Sequence, residues 1–164
     1  MTAAHTFTFT KTFRASQAQV FEAFANAEAL AQWWGPVEAP IEVLSLDFRV
    51  GGHFHYKMMG QQINYGLFKY LQINRPHSIE WINSFADAAG NAIKPPFEGI
   101  DFPKEIVNKI TLTEKDGITT LHLVSTPLNA TENELTTFSS FTESMQQGFG
   151  GTLNQLEAYL QTLR

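Results

Sequence analysis

The apolar positions of the chain follow two different periods, and the changes between them lay out the elements. Thr6 to Phe13 alternates strictly, which places Phe7, Phe9, Lys11 and Phe13 on one face of a half-buried strand. Ser16 with Gln19 fits a capping box, in which each side chain satisfies a free backbone donor of the first helical turn. It opens a short helix that buries Val20, Phe21 and Phe24. Asn26 suits the cap of a second short helix, Ala27 to Trp34, which Gly35-Pro36 closes. At the other end of the chain, Phe138, Phe141, Met145, Phe149, Leu153, Leu156, Leu160 and Leu163 recur at steps of three or four. That spacing puts one apolar stripe on a single α-helix from Thr131 to Leu163, opened by a second capping box of Thr131 with Glu134. At 1.5 Å per residue such a helix would be about 45 Å long. Gly148, Gly150 and Gly151 lie inside it. Each costs on the order of 1 kcal/mol relative to alanine, so together they predict a helix that bends over, or closely approaches, what it covers.

Between these helical regions the period is two. Ile41 to Phe48 reads as a strand, and Gly51-Gly52 turns into His53 to Met59, which carries Phe54, Tyr56 and Met58 on one face. Ile63 to Ile73 follows, then Ser78 to Phe85 with Ile79, Trp81 and Asn83 on one face. Glu105 to Glu114 and Ile118 to Thr126 form a hairpin about Lys115-Asp116-Gly117, and Pro127 is expected to end the last strand. Ala86 to Lys104, with Pro95-Pro96, reads as a long loop of the kind that is functional or mobile. The order of elements predicts an α+β fold in one domain over residues 1–164. A curved antiparallel sheet of about seven strands would be covered on its concave side by the long C-terminal helix.

Composition narrows the partners. Cysteine is absent, which removes disulfides, thiolate metal sites and cysteine nucleophiles. The first residues lack the basic start and apolar run of a signal peptide, and no stretch has the length of a membrane helix, so a soluble cytoplasmic protein is expected. Asn129-Ala130-Thr131 is then a chance glycosylation sequon. Net charge is −5, charged residues make up 16% of the chain, and the basic ones are scattered; nucleic acid and anionic membranes are not expected partners. The unusual quantity is 14 phenylalanines beside three tryptophans and four tyrosines. They build either an aromatic core or a cavity with rigid aromatic walls.

A series of short motifs carries a family resemblance. Phe13-Arg14-Ala15 leads to Val20-Phe21, followed by Trp33-Trp34-Gly35-Pro36 and by Asp47 to Gly52 before Phe54. Tyr70-Leu71-Gln72-Ile73 stands ahead of Pro76, then Asn83 to Asp87, Asn108, Asn129 to Glu132, and Met145 to Phe149 with Leu156. In this order they resemble the small proteins similar to the C-terminal domain of the activator of the Hsp90 ATPase, within the START and birch-pollen-allergen-like superfamily. Gln72, where that family often has glutamate, and Phe149, where tryptophan is common, depart from the pattern. The resemblance implies the helix-grip fold and a pocket between the long helix and the sheet. Related folds bind lipids, hormones and polyketides, some catalyse, and some only contact partner proteins, so activity has to come from the site.

The periods nominate pocket residues on both walls: Phe54, Tyr56 and Trp81 from the sheet, and Phe138, Phe141, Met145 and Phe149 from the helix. Trp33 and Trp34 either join them or brace the short helices. Asn83, Asn108 and the Tyr56 hydroxyl are the polar groups expected to face inward, where they orient a ligand or satisfy the backbone. Lys11 either reaches solvent or stands at the pocket rim. His53 and His55 share a strand face as metal ligands could, but alternation turns that face outward and no third ligand accompanies them, so no metal is expected. Glu98 and Asp101 are a loop pair open to acid/base use or plain solvation, and alternation turns His122 away from the helix. There is no nucleophile elbow, phosphate loop or dinucleotide fingerprint, and no cofactor is implied.

These features point first to a non-enzymatic protein, monomer or homodimer, that holds a small apolar or aromatic molecule under the long helix. Two other readings remain. One is an interaction module for an Hsp90-type chaperone, which the resemblance implies. The other is a cyclase- or hydrolase-type enzyme using the same pocket.

Overall fold

The computed structural model describes residues 5–163. In chain order its elements are β1 (Phe7–Phe13), α1 (Gln17–Ala23), α2 (Ala27–Trp33), β2 (Ile41–Asp47), β3 (His53–Met59), β4 (Ile63–Asn74) and β5 (Ser78–Ala86), then β6 (Ala92–Ile93), β7 (Glu105–Lys115), β8 (Ile118–Leu128), α3 (Glu132–Ser140) and α4 (Thr142–Gln161). The strands form one antiparallel sheet of order β1-β8-β7-β5-β4-β3-β2, with β6 paired to β5. Consecutive strands are neighbours nearly throughout. The long crossing is made by α1 and α2, which carry the chain from β1 at one edge to β2 at the other. Both expected capping boxes are present, Ser16 with Gln19 and Thr131 with Glu134, and Asn26 caps α2. The fold is the expected α+β arrangement of the helix-grip kind.

Register decides which side chains share the inner face. Phe54 stands opposite Phe68, Tyr56 opposite Gly66, Tyr70 opposite Trp81, and Trp81 opposite Asn108. The middle of this face is filled by rings. Phe68 stacks on Trp81 at 4.7 Å, and Phe24 meets Trp33 edge-on at 4.7 Å. Aromatic pairs in such geometries add stability beyond the area they bury. Trp33, fully buried, donates its indole N–H to the Ala23 carbonyl at 2.8 Å. On the other side, α4 is tied to the end of α2. The Thr152 hydroxyl and the Gln155 amide each donate to the Gly35 carbonyl at 2.9 Å, and Gln155 also donates to Trp33 O at 3.0 Å.

Three features differ from the sequence expectations. The closing helix is two helices rather than one, because Phe141 leaves helical geometry at φ −96° and ψ 10° and its N–H bonds back to Phe138 at i−3. The cause is local and long-range together. The Ser140 and Thr142 hydroxyls bond the carbonyls of Thr137 and Ser139, competing with the helical ladder, while Phe102 from the long loop packs against both Phe138 and Phe141. Next, Pro127 does not end its strand. It pairs with Ile106 beyond the point where β1 stops at the Phe7–Ser125 pair, so β8 has a free edge there and the missing N–H is tolerated. Finally, the segment from Ala86 to Lys104 contains β6, which pairs with Phe85 and Ala86 of β5.

That segment is also latched. The Lys94 ammonium bonds Asp101 and Glu134 at 2.6 Å each, joining the loop to the first turn of α3. The two carboxyls are held below their ordinary range, chiefly by the hydrogen bonds from Lys94, and the ammonium is held above its own. A carboxylate with a depressed folded pKa contributes stability that is present at neutral pH and lost as pH falls through that pKa. Lys94→Met should therefore lower the thermal midpoint at pH 7, and the gap to wild type should close below about pH 4, near and under the ordinary carboxylate range. Thermal melts of both proteins across pH 3–7 check this.

Candidate functional site

A cavity of about 250 Å³ lies between the first half of α4 and the β3–β4–β5 part of the sheet, closed on one side by the turn after α2. Trp34, Tyr56, Phe85 and Phe149 supply its aromatic walls, and Met58 and Met145 supply thioethers. Pro36 and Gly148 are exposed and line the cavity, so they frame its mouth. No Asp, Glu, Lys, Arg or His is among the lining residues.

Two glycines shape the space. Gly66 faces Tyr56 across the β3–β4 ladder, and a Cβ on it would overlap the Tyr56 ring. Lacking that carbon, β4 lets the phenol lie over its backbone instead of standing up into the cavity. An isolated glycine inside a strand is the sequence signal of such close approach. Gly148 is different, since a Cβ there would meet no atom within 4 Å. The other two helical glycines do separate things. At Gly151 a Cβ would stand 3.0 Å from Val37, so this position lets the segment after α2 come close, whereas Gly150 has only an ordinary 3.8 Å neighbour in Phe9. α4 is continuous through all three.

Of the residues nominated from the sequence, Trp34, Tyr56, Asn83, Met145 and Phe149 come together around the cavity. Trp33, Phe54 and Trp81 are buried in the filled centre, where Phe54 stacks on Tyr56 at 4.6 Å. A void of about 10 Å³ remains beside Trp81, Phe149 and Leu153, at the lower limit for a single water molecule. Phe138 and Phe141 pack with Phe102 at the start of the helical pair. Asn108 is buried and accepts a hydrogen bond from the Ser125 hydroxyl. Gly35, Pro36, Met58, Gly66, Ser84, Phe85 and Thr152 also line the cavity but were not nominated; alternation put Met58 on the face of Phe54 and Tyr56, yet it tells the face of a strand and not the depth along it.

Glu98 is exposed in the loop, and the other candidates are engaged elsewhere. Lys11 pairs with Glu157 of α4 at 3.2 Å. Asp101 is occupied by Lys94 and by Asn133. His53 shares a hydrogen bond with Ser45, His55 donates to the Asp87 carbonyl, and His122 is bonded to Thr10. Among the described residues no three His, Cys, Asp or Glu side chains are grouped as a metal ion would require.

The electrostatics of the cavity follow from its walls. Burial pushes the Tyr56 hydroxyl up to about 12, with a smaller opposing influence from the neighbouring Trp34 indole. That indole N–H is sealed from solvent and makes no well-formed hydrogen bond, so its approach to the phenol oxygen is a weak one. Tyr56 thus keeps its proton at neutral pH.

Comparison with known proteins fits this geometry. The sequence profile of the activator of Hsp90 ATPase homolog 1-like proteins matches residues 14–161. The chain belongs to that family. Protein Ms6760 from Mycobacterium smegmatis is 27% identical to this activator-like chain, with 96% of this chain and 91% of that one covered at a TM-score of 0.76. A protein from Staphylococcus epidermidis is 26% identical, covering 98% and 92% at 0.76. A protein from Arthrobacter aurescens shares the fold at 22% identity, covering 99% and 89% at 0.80. No curated protein matches the chain. Among the described residues, no helix of this family member is long and apolar enough to cross a membrane.

An added methyl should act in opposite directions at Gly66 and Gly148. Gly66→Ala should lower stability by about 1–3 kcal/mol, because the phenol must move into packed surroundings. Gly148→Ala should raise it by up to about 1 kcal/mol, since the new methyl meets open space and helix propensity improves. Urea denaturation of the two variants beside wild type measures both.

Proposed function

We propose that the protein is a non-enzymatic binding protein that holds a small apolar or aromatic molecule in the cavity between α4 and strands β3 to β5. The observation that carries this reading is the contrast within one concave face. Its centre is packed with rings to a residual void of about 10 Å³, yet about 250 Å³ stands open beside it, walled by aromatic and thioether side chains. Ligand pockets have this composition, mostly apolar with a few placed polar groups. The lining holds no Asp, Glu, Lys, Arg or His, and its tyrosine, Tyr56, keeps its proton at neutral pH, so no general base stands within reach of a guest, which favours binding over catalysis. Membership of the family is compatible with ligand binding and with contact to a chaperone.

Native mass spectrometry of the purified protein should find a co-purified small molecule, and tryptophan fluorescence should respond to apolar aromatic additives through Trp34. Gly148→Leu, which places an isobutyl group at the mouth, should abolish both responses while leaving the fold intact by circular dichroism. Stimulation of an Hsp90 ATPase by the wild-type chain, undiminished by Gly148→Leu, would instead support the chaperone-contact reading.

A further inference from the structure

Among the residues lining the cavity, Asn83 and Tyr56 each carry a hydrogen-bond donor that the protein itself does not use. Asn83 is the first. Its partner is the Trp81 indole Nε1, 3.3 Å away, and an indole N–H can only donate. The atom facing Trp81 is therefore Oδ1, which turns the Nδ2 amide, two N–H donors, to the other side. No described residue accepts from it, and Asn83 lines the cavity. Tyr56 is the second. The Trp34 indole beside it is again a pure donor, so the weak contact they make leaves the phenol O–H proton free. Burial keeps that proton in place at neutral pH.

The rest of the wall constrains charge and size. An ion of either sign would be desolvated against a lining with no charged partner, which is strongly unfavourable. A cavity of 150 Å³ is filled by benzene, so about 250 Å³ corresponds to about ten non-hydrogen atoms. Long acyl chains and their headgroups do not fit that volume.

Resting on the cavity reading above, we infer that the site selects a neutral single-ring aromatic molecule bearing one hydrogen-bond acceptor, such as a carbonyl oxygen, and that it discriminates against carboxylates and ammonium ions of the same size. The ring lies among Trp34, Phe85 and Phe149, and the acceptor receives the Asn83 amide and the Tyr56 hydroxyl. Aromatic walls alone would also welcome a cation. The two inward donors are what turn the preference to an acceptor.

Four probes of nearly equal size separate these possibilities: acetophenone, cumene, benzoate and phenyltrimethylammonium, titrated at pH 7 by calorimetry or by amide chemical shifts. With wild type, acetophenone should bind, cumene should bind about three- to tenfold more weakly, and the two ions at least about tenfold more weakly. Asn83→Asp keeps an oxygen for Trp81 while replacing the donor with an anion, so it should erase or invert the acetophenone–cumene gap. Tyr56→Phe should narrow it. Cumene binding by each variant reports that the cavity is still formed. If either ion binds as tightly as acetophenone, if cumene matches acetophenone on wild type, or if the gap survives both substitutions, this inference is overturned and the cavity reading stands. If none of the four binds, the cavity reading falls and takes this inference with it.

Discussion

The carbonyl of Gly35 holds two parts of the molecule together. It is a backbone acceptor at the end of a short helix, and both of its lone pairs are used, one by Thr152 and one by Gln155 of α4. Gly151 makes the approach possible by offering no side chain where Val37 comes in. Because α2 leads directly into the edge strand β2, this junction fixes where α4 crosses the sheet. The cavity mouth, between Pro36 and Gly148, is defined by the same crossing. Charge-free contacts of this kind, buried and fully paired, set position more than they add net stability.

The empty and filled parts of the concave face differ in what their residues allow, not in hydrophobicity. In the centre, Phe68, Trp81, Phe24 and Trp33 meet in stacked and edge-on pairs that leave almost no space. Toward the mouth, Gly66 lets a tyrosine recline and Gly148 withholds a side chain from the helix. Volume is thus removed from both walls at the same level. Close packing elsewhere means this vacancy is not relieved by collapse, since the surrounding rings already sit against firm neighbours.

Much of the architecture was legible in the residues because it follows from local chemistry. Alternation placed Phe54, Tyr56, Trp81 and Asn83 on the inner face, and the pairs Ser16–Gln19 and Thr131–Glu134 announced their helix starts. What escaped reading depends on contacts distant in sequence. The break at Phe141 needs Phe102 beside it, and nothing between them in the chain reveals that meeting. Depth escaped for a similar reason. Phe54 and Tyr56 have equal standing in a period-two pattern, yet only the second lines the cavity, because its cross-strand partner is glycine. Gly66 carried that information in plain sight as an isolated glycine within a strand.

The position of the mouth has a kinetic meaning. It opens between an exposed proline and an exposed helical glycine. Under the proposed binding role, entry at this mouth calls for side-chain rearrangement rather than the slower movement of a whole strand or helix. Residence is then governed by the depth of the well alone. Under the same role, a tightly held guest stays with the protein through purification, while a weakly held one exchanges with its surroundings.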